Sequence, residues 1–510
     1  MTKKHCNNHK PISEDDLSEI IKLRINEIIK KLYDLNDFIV SIIENKFVNI
    51  VRISDNKDLL IPYCDIKKKC IIDKCGKWIA TLKKLIINEF GYTNENTELI
   101  EKINELSQKI DCIYNKICPD EDFSGLDSWI VTFKPNFDPE NCGLPGCVKI
   151  KYVYSEAFNG MNCYATYGDM FLLKEKHPEI ESFECDHEVK ITALNERTVG
   201  ILAAQPAGSF INRIGANGSS QRSGDGVGTL AAKTNINVFV VDTGISAHPD
   251  LNIVSGINFT STIRTAWTDG NGHGTHVSGI IGALDNSFGI VGVAPGIRLW
   301  AVKVLSDNGS GSTSNIIAAL DWILQKRNVL WAGIGIVNMS LGGGVNTALD
   351  NAVNKLLNNG IVVVVAAGNS SIDAANFSPA RTPNAITVGA TSPIPLYNTL
   401  ASFSNYGSLV DILAPGTSIT STYLANGYAS LSGTSMAAPV VTGTVALMLS
   451  GQTIAGGNTI TFVNNVRNKL VTVSSNLIPK YFNGTNGANP RIVIPPTKPT
   501  TNISVWAGSY

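Results

Sequence analysis

From Asn237 onward the chain alternates unbroken apolar runs, Val238-Phe-Val-Val241 and Ile361-Val-Val-Val-Val365, with helical stretches at residues 315–325 and 347–358. A strand that is apolar at every position, rather than every second one, is covered on both faces. Strands of that kind joined by helices build a parallel sheet with helices packed on it. The region 237–486 therefore reads as an α/β domain. A chain of 510 residues exceeds the roughly 250–300 at which single cores stop growing, so further units are expected before it.

Residues 1–120 are rich in Lys, Ile and Asn. Apolar residues at spacings of three and four between Leu17 and Ile50 predict a helical N-terminal extension. Around Ser128 the texture changes to short β-type runs, Trp129–Phe133 and Val148–Tyr154, separated by the turn sequence Cys142-Gly-Leu-Pro-Gly-Cys147, which predicts a small α+β unit over 127–192. Residues 193–236, with Ser223-Gly-Asp-Gly-Val-Gly228, read as a linker and entry segment, and 487–510 as a Pro- and Thr-rich tail.

All ten cysteines, Cys6 to Cys185, precede residue 190, so the α/β domain is indifferent to the redox state of its surroundings. Cys64, Cys70, Cys75, Cys112 and Cys118 form no Cys-x-x-Cys pair and have no nearby His, which favours structural thiols over zinc. With 42 basic and 43 acidic residues, bulk charge gives no reason to expect a nucleic-acid or membrane-surface partner. No apolar run reaches the roughly 18 residues of a membrane span. The polar start Met1–Asp16 lacks the apolar core of a secretory signal, giving the expectation of an intracellular or particle-packaged protein.

Four segments carry groups suited to nucleophilic hydrolysis, which needs a nucleophile, a base, a carboxylate to orient the base, and donors for an oxyanion. Asp242 ends the first apolar run, at the strand edge where open α/β sheets place their sites. His273 lies in Asn271-Gly-His-Gly-Thr-His-Val-Ser-Gly279. A zinc-protease helix would need histidines four apart with a Glu between them, whereas His273 and His276 are three apart, so His276 reads as a packed structural residue. Ser435, in Ser432-Gly-Thr-Ser-Met-Ala-Ala-Pro439, precedes an apolar helical stretch whose N-terminus favours negative charge. Asn369, in Ala366-Ala-Gly-Asn369, could aim an amide N–H at an oxyanion. Taken singly, each is also an ordinary turn or capping residue.

The order Asp242, His273, Ser435, together with Val-Val-Asp-Thr-Gly-Ile, His-Gly-Thr-His-Val, Val293-Ala-Pro-Gly296, Val337-Asn-Met-Ser-Leu-Gly-Gly343 and Gly-Thr-Ser-Met-Ala-Ala-Pro, resembles the subtilase family of serine proteases, most closely its proteinase K-like branch. The resemblance spans roughly residues 205–475. It implies a three-layer domain with a mostly parallel sheet, preceded by an inhibitor-like prodomain. By the same resemblance Ser435 is the nucleophile, His273 the general base and acid, Asp242 its orienting carboxylate, and Asn369 an oxyanion donor. Gly309, Ser310, Gly311, Ser340, Leu341 and Gly342 would flank an extended substrate, with Ala366, Ala367 and Gly368 walling the specificity pocket. A structural calcium would rest on Pro383, Ala385 and Asp411.

The family usually has His-Val after the Pro of the serine motif, where Val440-Val441 stands here. The implied enzyme is a monomeric, self-processing serine endopeptidase acting on protein or peptide substrates with broad specificity and an apolar residue before the cut. Its own prodomain would serve as intramolecular inhibitor, cleaved between about residues 191 and 205. The rival readings are an inactive fold kept as a binding protein and a protease that never releases its prodomain.

Overall fold

The computed structural model describes residues 38–43, 47–52, 57–62, 126–137, 149–200, 205–216 and 235–481 with short breaks, and the single positions Ser223 and Val505. The chain divides into two compact units, one of residues 1–151 and 162–185, the other of 152–161 and 186–510. The proposed linker and tail, and all cysteines except the buried Cys163 and the exposed Cys185, lie largely or wholly outside the described residues.

In the first unit, strands β1 (Phe38–Ile43), β2 (Phe47–Arg52) and β3 (Lys57–Pro62) form an antiparallel meander. This corrects the expected helix over residues 38–43 and 47–50; the rest of the stretch from Leu17 lies outside the described residues. The runs FIVSII and FVNIVR are dense in β-branched and aromatic residues, and that composition favours strands over the helical spacing it also satisfies. A second sheet joins β4 (Asp127–Phe133), β5 (Lys149–Tyr154), β6 (Gly160–Ala165) and β7 (Ile180–Cys185) in the order β5-β6-β4-β7. Trp129 anchors its core: the indole N–H donates to Ala165 O at 3.0 Å and the ring meets Phe183 edge-on at 5.5 Å. β7 ends at Cys185, the last residue of the first unit.

The second unit begins its strands with β8 (Glu188–Ile191) and β9 (Leu194–Gly200). Its main sheet holds β10 (Ile236–Asp242), β11 (Ile253–Asn258), β12 (Arg298–Lys303), β14 (Ile334–Met339), β16 (Val362–Ala366), β17 (Ile386–Ser392), β18 (Thr399–Leu400) and β19 (Ile412–Pro415). The short strands β13 (Ser310–Ser312) and β15 (Leu341–Gly342) flank β8, while β20 (Ile419–Thr422) and β21 (Tyr428–Ser432) form a sheet with β9. All pairings in the main sheet are parallel except β17 with β18. Every residue of β10 and of β16 is buried, as expected where helices cover both faces.

Helices α1 (His273–Gly282), α2 (Thr313–Gln325), α3 (Thr347–Asn358), α4 (Thr434–Gly451) and α5 (Ile460–Tyr481) supply those layers. α1 pairs with α4 and α2 with α3. The N-cap side chains of Ser312 and Asn346 accept backbone N–H groups at the starts of α2 and α3. Val440 and Val441 are both fully buried in α4, so the departure from His-Val fills the helix interface with apolar volume. Sheet order β11-β12-β10-β14-β16 means that the chain leaves β10 toward one side and later returns to its other side. The crevice at the carboxyl ends of β10 and its neighbours is thus the topological switch point, where such sheets bind their ligands.

Candidate active site

Asp242 is the last residue of β10 and is fully buried. Its Oδ1 accepts the Thr243 N–H at 2.7 Å and lies 2.7 Å from His273 Nδ1. With the carboxylate accepting, the imidazole proton sits on Nδ1 and Nε2 keeps a basic lone pair. His273 opens α1, whose entry turn is gathered by Asp269: Oδ1 accepts the Asn271 and Gly272 N–H groups at 2.9 Å, and Oδ2 accepts from Thr275 N and Oγ1 at 2.9 and 2.7 Å. A Cβ on Gly274 would lie 2.1 Å from Gly244 O, so a glycine beside the histidine is what lets α1 approach β10 this closely.

Ser435 occupies the first turn of α4. Its hydroxyl donates to Ser340 O at 2.9 Å, and its Oγ lies 2.7 Å from Thr192 Oγ1. His273 Nε2 is buried and makes no hydrogen bond. Asn369 follows β16; its Nδ2 donates to Thr192 O at 2.6 Å, and the same oxygen accepts the Ser435 N–H at 3.2 Å. Two donors thus converge on one carbonyl beside a serine, as an oxyanion site requires.

Thr192 directly follows the chain's own strand β8. The strand runs antiparallel to β13, with Lys190 opposite Ser310 and Val189 opposite Gly311, and antiparallel to β15, with Ile191 opposite Leu341 and Lys190 opposite Gly342. Ile191 N donates to Gly309 O at 3.1 Å and Thr192 N to Ser340 O at 3.4 Å. Six of the expected substrate-binding residues, Gly309 to Gly311 and Ser340 to Gly342, therefore line one extended segment. Ala366 and Ala367 are fully buried behind it, with Ala367 O accepting from Asn405 Nδ2 at 2.7 Å, and Gly368 N donates to Thr434 Oγ1 at 3.1 Å.

The other two histidines after residue 190, His248 and His276, are held by backbone groups. His276 Nε2 lies 3.0 Å from both Ile419 O and Ala429 O, and complete burial drives its pKa down to about 3. His248 binds Gly427 O through Nε2 and the Asp250 N–H through Nδ1, and burial lowers its pKa.

The proposed calcium cradle does not fit the residues present. Asp411 Oδ2 accepts the Thr387 N–H at 2.9 Å, and Oδ1 is taken by the guanidinium of Arg467 from α5. Both carboxylate oxygens are engaged, one of them by a cationic guanidinium, so Asp411 as it stands does not fit as a calcium ligand beside Pro383 and Ala385. Among the described residues no cluster of three or more His, Cys, Asp or Glu side chains forms a metal-ligand set. Sequence reasoning missed Thr192, Thr434, Asp269 and Arg467; of these only Thr434, inside the serine motif, stood within a segment already singled out.

A family model described as the subtilase family matches residues 233–488. Subtilisin DY of Bacillus licheniformis is 43% identical over 255 residues, 49% of this chain and 87% of that protein. Subtilisin Savinase of Lederbergia lenta is 48% identical over 214 residues, covering 42% and 76% respectively. A solved cold-adapted subtilisin-like serine proteinase is 37% identical with a TM-score of 0.46, covering 55% of this chain and 91% of its own. With half of its length matched by the family model and subtilisins aligned over most of their own, the chain belongs to the subtilase family and is a subtilisin-type serine endopeptidase.

Proposed function

We propose that the enzyme hydrolyses peptide bonds through Asp242, His273 and Ser435 with Asn369 as oxyanion donor, and that its first substrate is its own chain, cut between Thr192 and Ala193. The observation that carries this reading is the Thr192 carbonyl, which accepts from both Asn369 Nδ2 and the Ser435 N–H. Ser435 Oγ would attack the Thr192 carbonyl carbon while His273 Nε2 takes its proton. Charge developing on the carbonyl oxygen falls between two donors already in position. The C–N bond to Ala193 then breaks as His273 passes the proton to the leaving nitrogen, and water hydrolyses the Thr192 ester.

Residues 188–192 also stand as a template for other substrates. Recognition is by strand addition to β13 and β15, which reads backbone rather than sequence and supports broad specificity. Val189 is buried and Ile191 half-buried, while Glu188 and Lys190 point to solvent. Apolar preference is therefore assigned to the second and fourth residues before the cut; the residue before the cut itself is Thr192, not the apolar one expected. Support for an inhibitory prosegment comes from α2: Asp186 accepts from Ser314 N and Oγ at 2.8 and 2.6 Å, and Asp321 Oδ1 accepts the Glu156 and Ala157 N–H groups at 2.6 Å.

Expression of the wild type beside Ser435→Ala tests the proposal. A wild-type product beginning at Ala193 that digests casein, with Ser435→Ala remaining full length and inert, is the expected result. Full-length, inactive wild type overturns it.

A further inference from the structure

We propose that the Thr192 hydroxyl restrains the nucleophile, so that a β-hydroxyl residue before the scissile bond slows acylation and makes self-processing a delayed event. The inference rests on the reading that Thr192–Ala193 is the bond cut.

Ser435 Oγ has one proton and two lone pairs. Attack requires the proton to point at His273 Nε2 and a lone pair to face the Thr192 carbonyl carbon. The structure holds a different arrangement: the proton goes to Ser340 O at 2.9 Å, which leaves Thr192 Oγ1 as the donor to Ser435 Oγ across 2.7 Å. Meanwhile His273 Nε2 is buried with no hydrogen bond. The carbonyl is seated between its two donors, so the substrate is in place while the nucleophile is turned from its base.

An orphaned buried acceptor is unfavourable, and the serine would relieve it by rotating. Two contacts oppose that rotation, the bond to Ser340 O and the one made by Thr192. Its side chain is buried, at 6% exposure, and β-branching restricts its χ1, so the hydroxyl cannot easily swing away. Ser340 is itself fixed, its Oγ donating to Ser435 O at 2.9 Å and accepting from Asn338 Nδ2 at 3.0 Å. Valine in place of Thr192 keeps the shape and removes only the donor. Rotation of Ser435 toward His273 then breaks one hydrogen bond fewer.

The full-length chain, refolded from denaturant by dilution, is followed by gel and by N-terminal sequencing for wild type, Thr192→Val and Thr192→Ser. Thr192→Val is expected to process about 3- to 10-fold faster than wild type, the factor a single hydrogen bond supplies, and Thr192→Ser to stay nearer the wild-type rate. In parallel, the processed enzyme is given peptides ending Val-Lys-Ile-Thr and Val-Lys-Ile-Val before the scissile bond, with kcat expected to be lower for the Thr peptide at similar KM. Cleavage at Ala193 with Thr192→Val no faster than wild type, or equal kcat on the two peptides, overturns the restraint and leaves the cleavage reading intact. A new N-terminus elsewhere overturns both and identifies the bond assignment as the failed step.

Discussion

Thr434 Oγ1 lies 2.8 Å from Asn369 Oδ1. The same hydroxyl accepts the Gly368 N–H at 3.1 Å, and Thr434 N also donates to Asn369 Oδ1 at 2.9 Å. These bonds leave the Asn369 amide one orientation, with Nδ2 toward the Thr192 carbonyl. Thr434→Val is expected to lower kcat about 10-fold with KM nearly unchanged, because it loosens a donor needed most in the transition state. Thr434→Ser should recover most of that loss. Asn369→Leu should lose roughly 10²–10³ in kcat, a magnitude taken over from subtilisin, in which this effect was defined. Peptide kinetics on the processed variants check all three.

The proposed triad residues stood out in the sequence because their motifs carry glycines and a helix start: Gly274 lets α1 come close to β10, and Ser435 lies in the first turn of α4. Parallel strands were legible from runs with no polar face. Thr192 was not, since nothing at the boundary between the α+β unit and the linker fixes which residue meets Ser435; that follows from the register of β8 against β13 and β15. The engagement of Asp411 was not legible because its partner Arg467 lies 56 positions on, in another element. The strands within residues 38–52 were misread because apolar residues three and four apart satisfied a helix while the β-branched content decided otherwise.

Arg467→Ala should destabilise the α/β domain by about 2–4 kcal/mol, because it leaves the buried Asp411 carboxylate without its charged partner. Burial already pushes the Asp411 pKa up, with the Arg467 guanidinium opposing it. Unfolding rates in denaturant on the Ser435→Ala background avoid self-digestion. Wild type and Asp411→Asn should bind the same number of calcium ions by elemental analysis; one ion fewer in the variant would restore the calcium reading of this site.

His276 makes folding sensitive to mild acid. Its folded pKa of about 3 lies below the ordinary 6.5, so the unfolded chain takes up this proton first and stability falls as pH drops from about 6.5 toward 3. The full effect is roughly 4–5 kcal/mol. Denaturant unfolding of Ser435→Ala across that range should reveal the fall, and His276→Asn, less stable at pH 7, should have a shallower pH dependence.

A Cβ on Gly433 would lie 2.3 Å from Thr192 O and 2.9 Å from Asn369 Nδ2. Gly433→Ala is therefore expected to displace the scissile carbonyl from its donors and to lower kcat/KM by at least about 100-fold, while the precursor remains folded by circular dichroism. Near-normal turnover in this variant would mean that the carbonyl does not sit at this position during reaction.

On either side of Thr192 and Ala193 the chain is held by different partners: β8 by β13 and β15, β9 by β21. Severing the bond between them removes covalent continuity without removing either ladder. The two new ends stay at a high effective concentration, and resealing competes with escape. Intact and nicked chains would then interconvert as a measurable equilibrium, and the birth of a working enzyme would be timed by peeling of a strand as well as by the slow hydrolysis that precedes it.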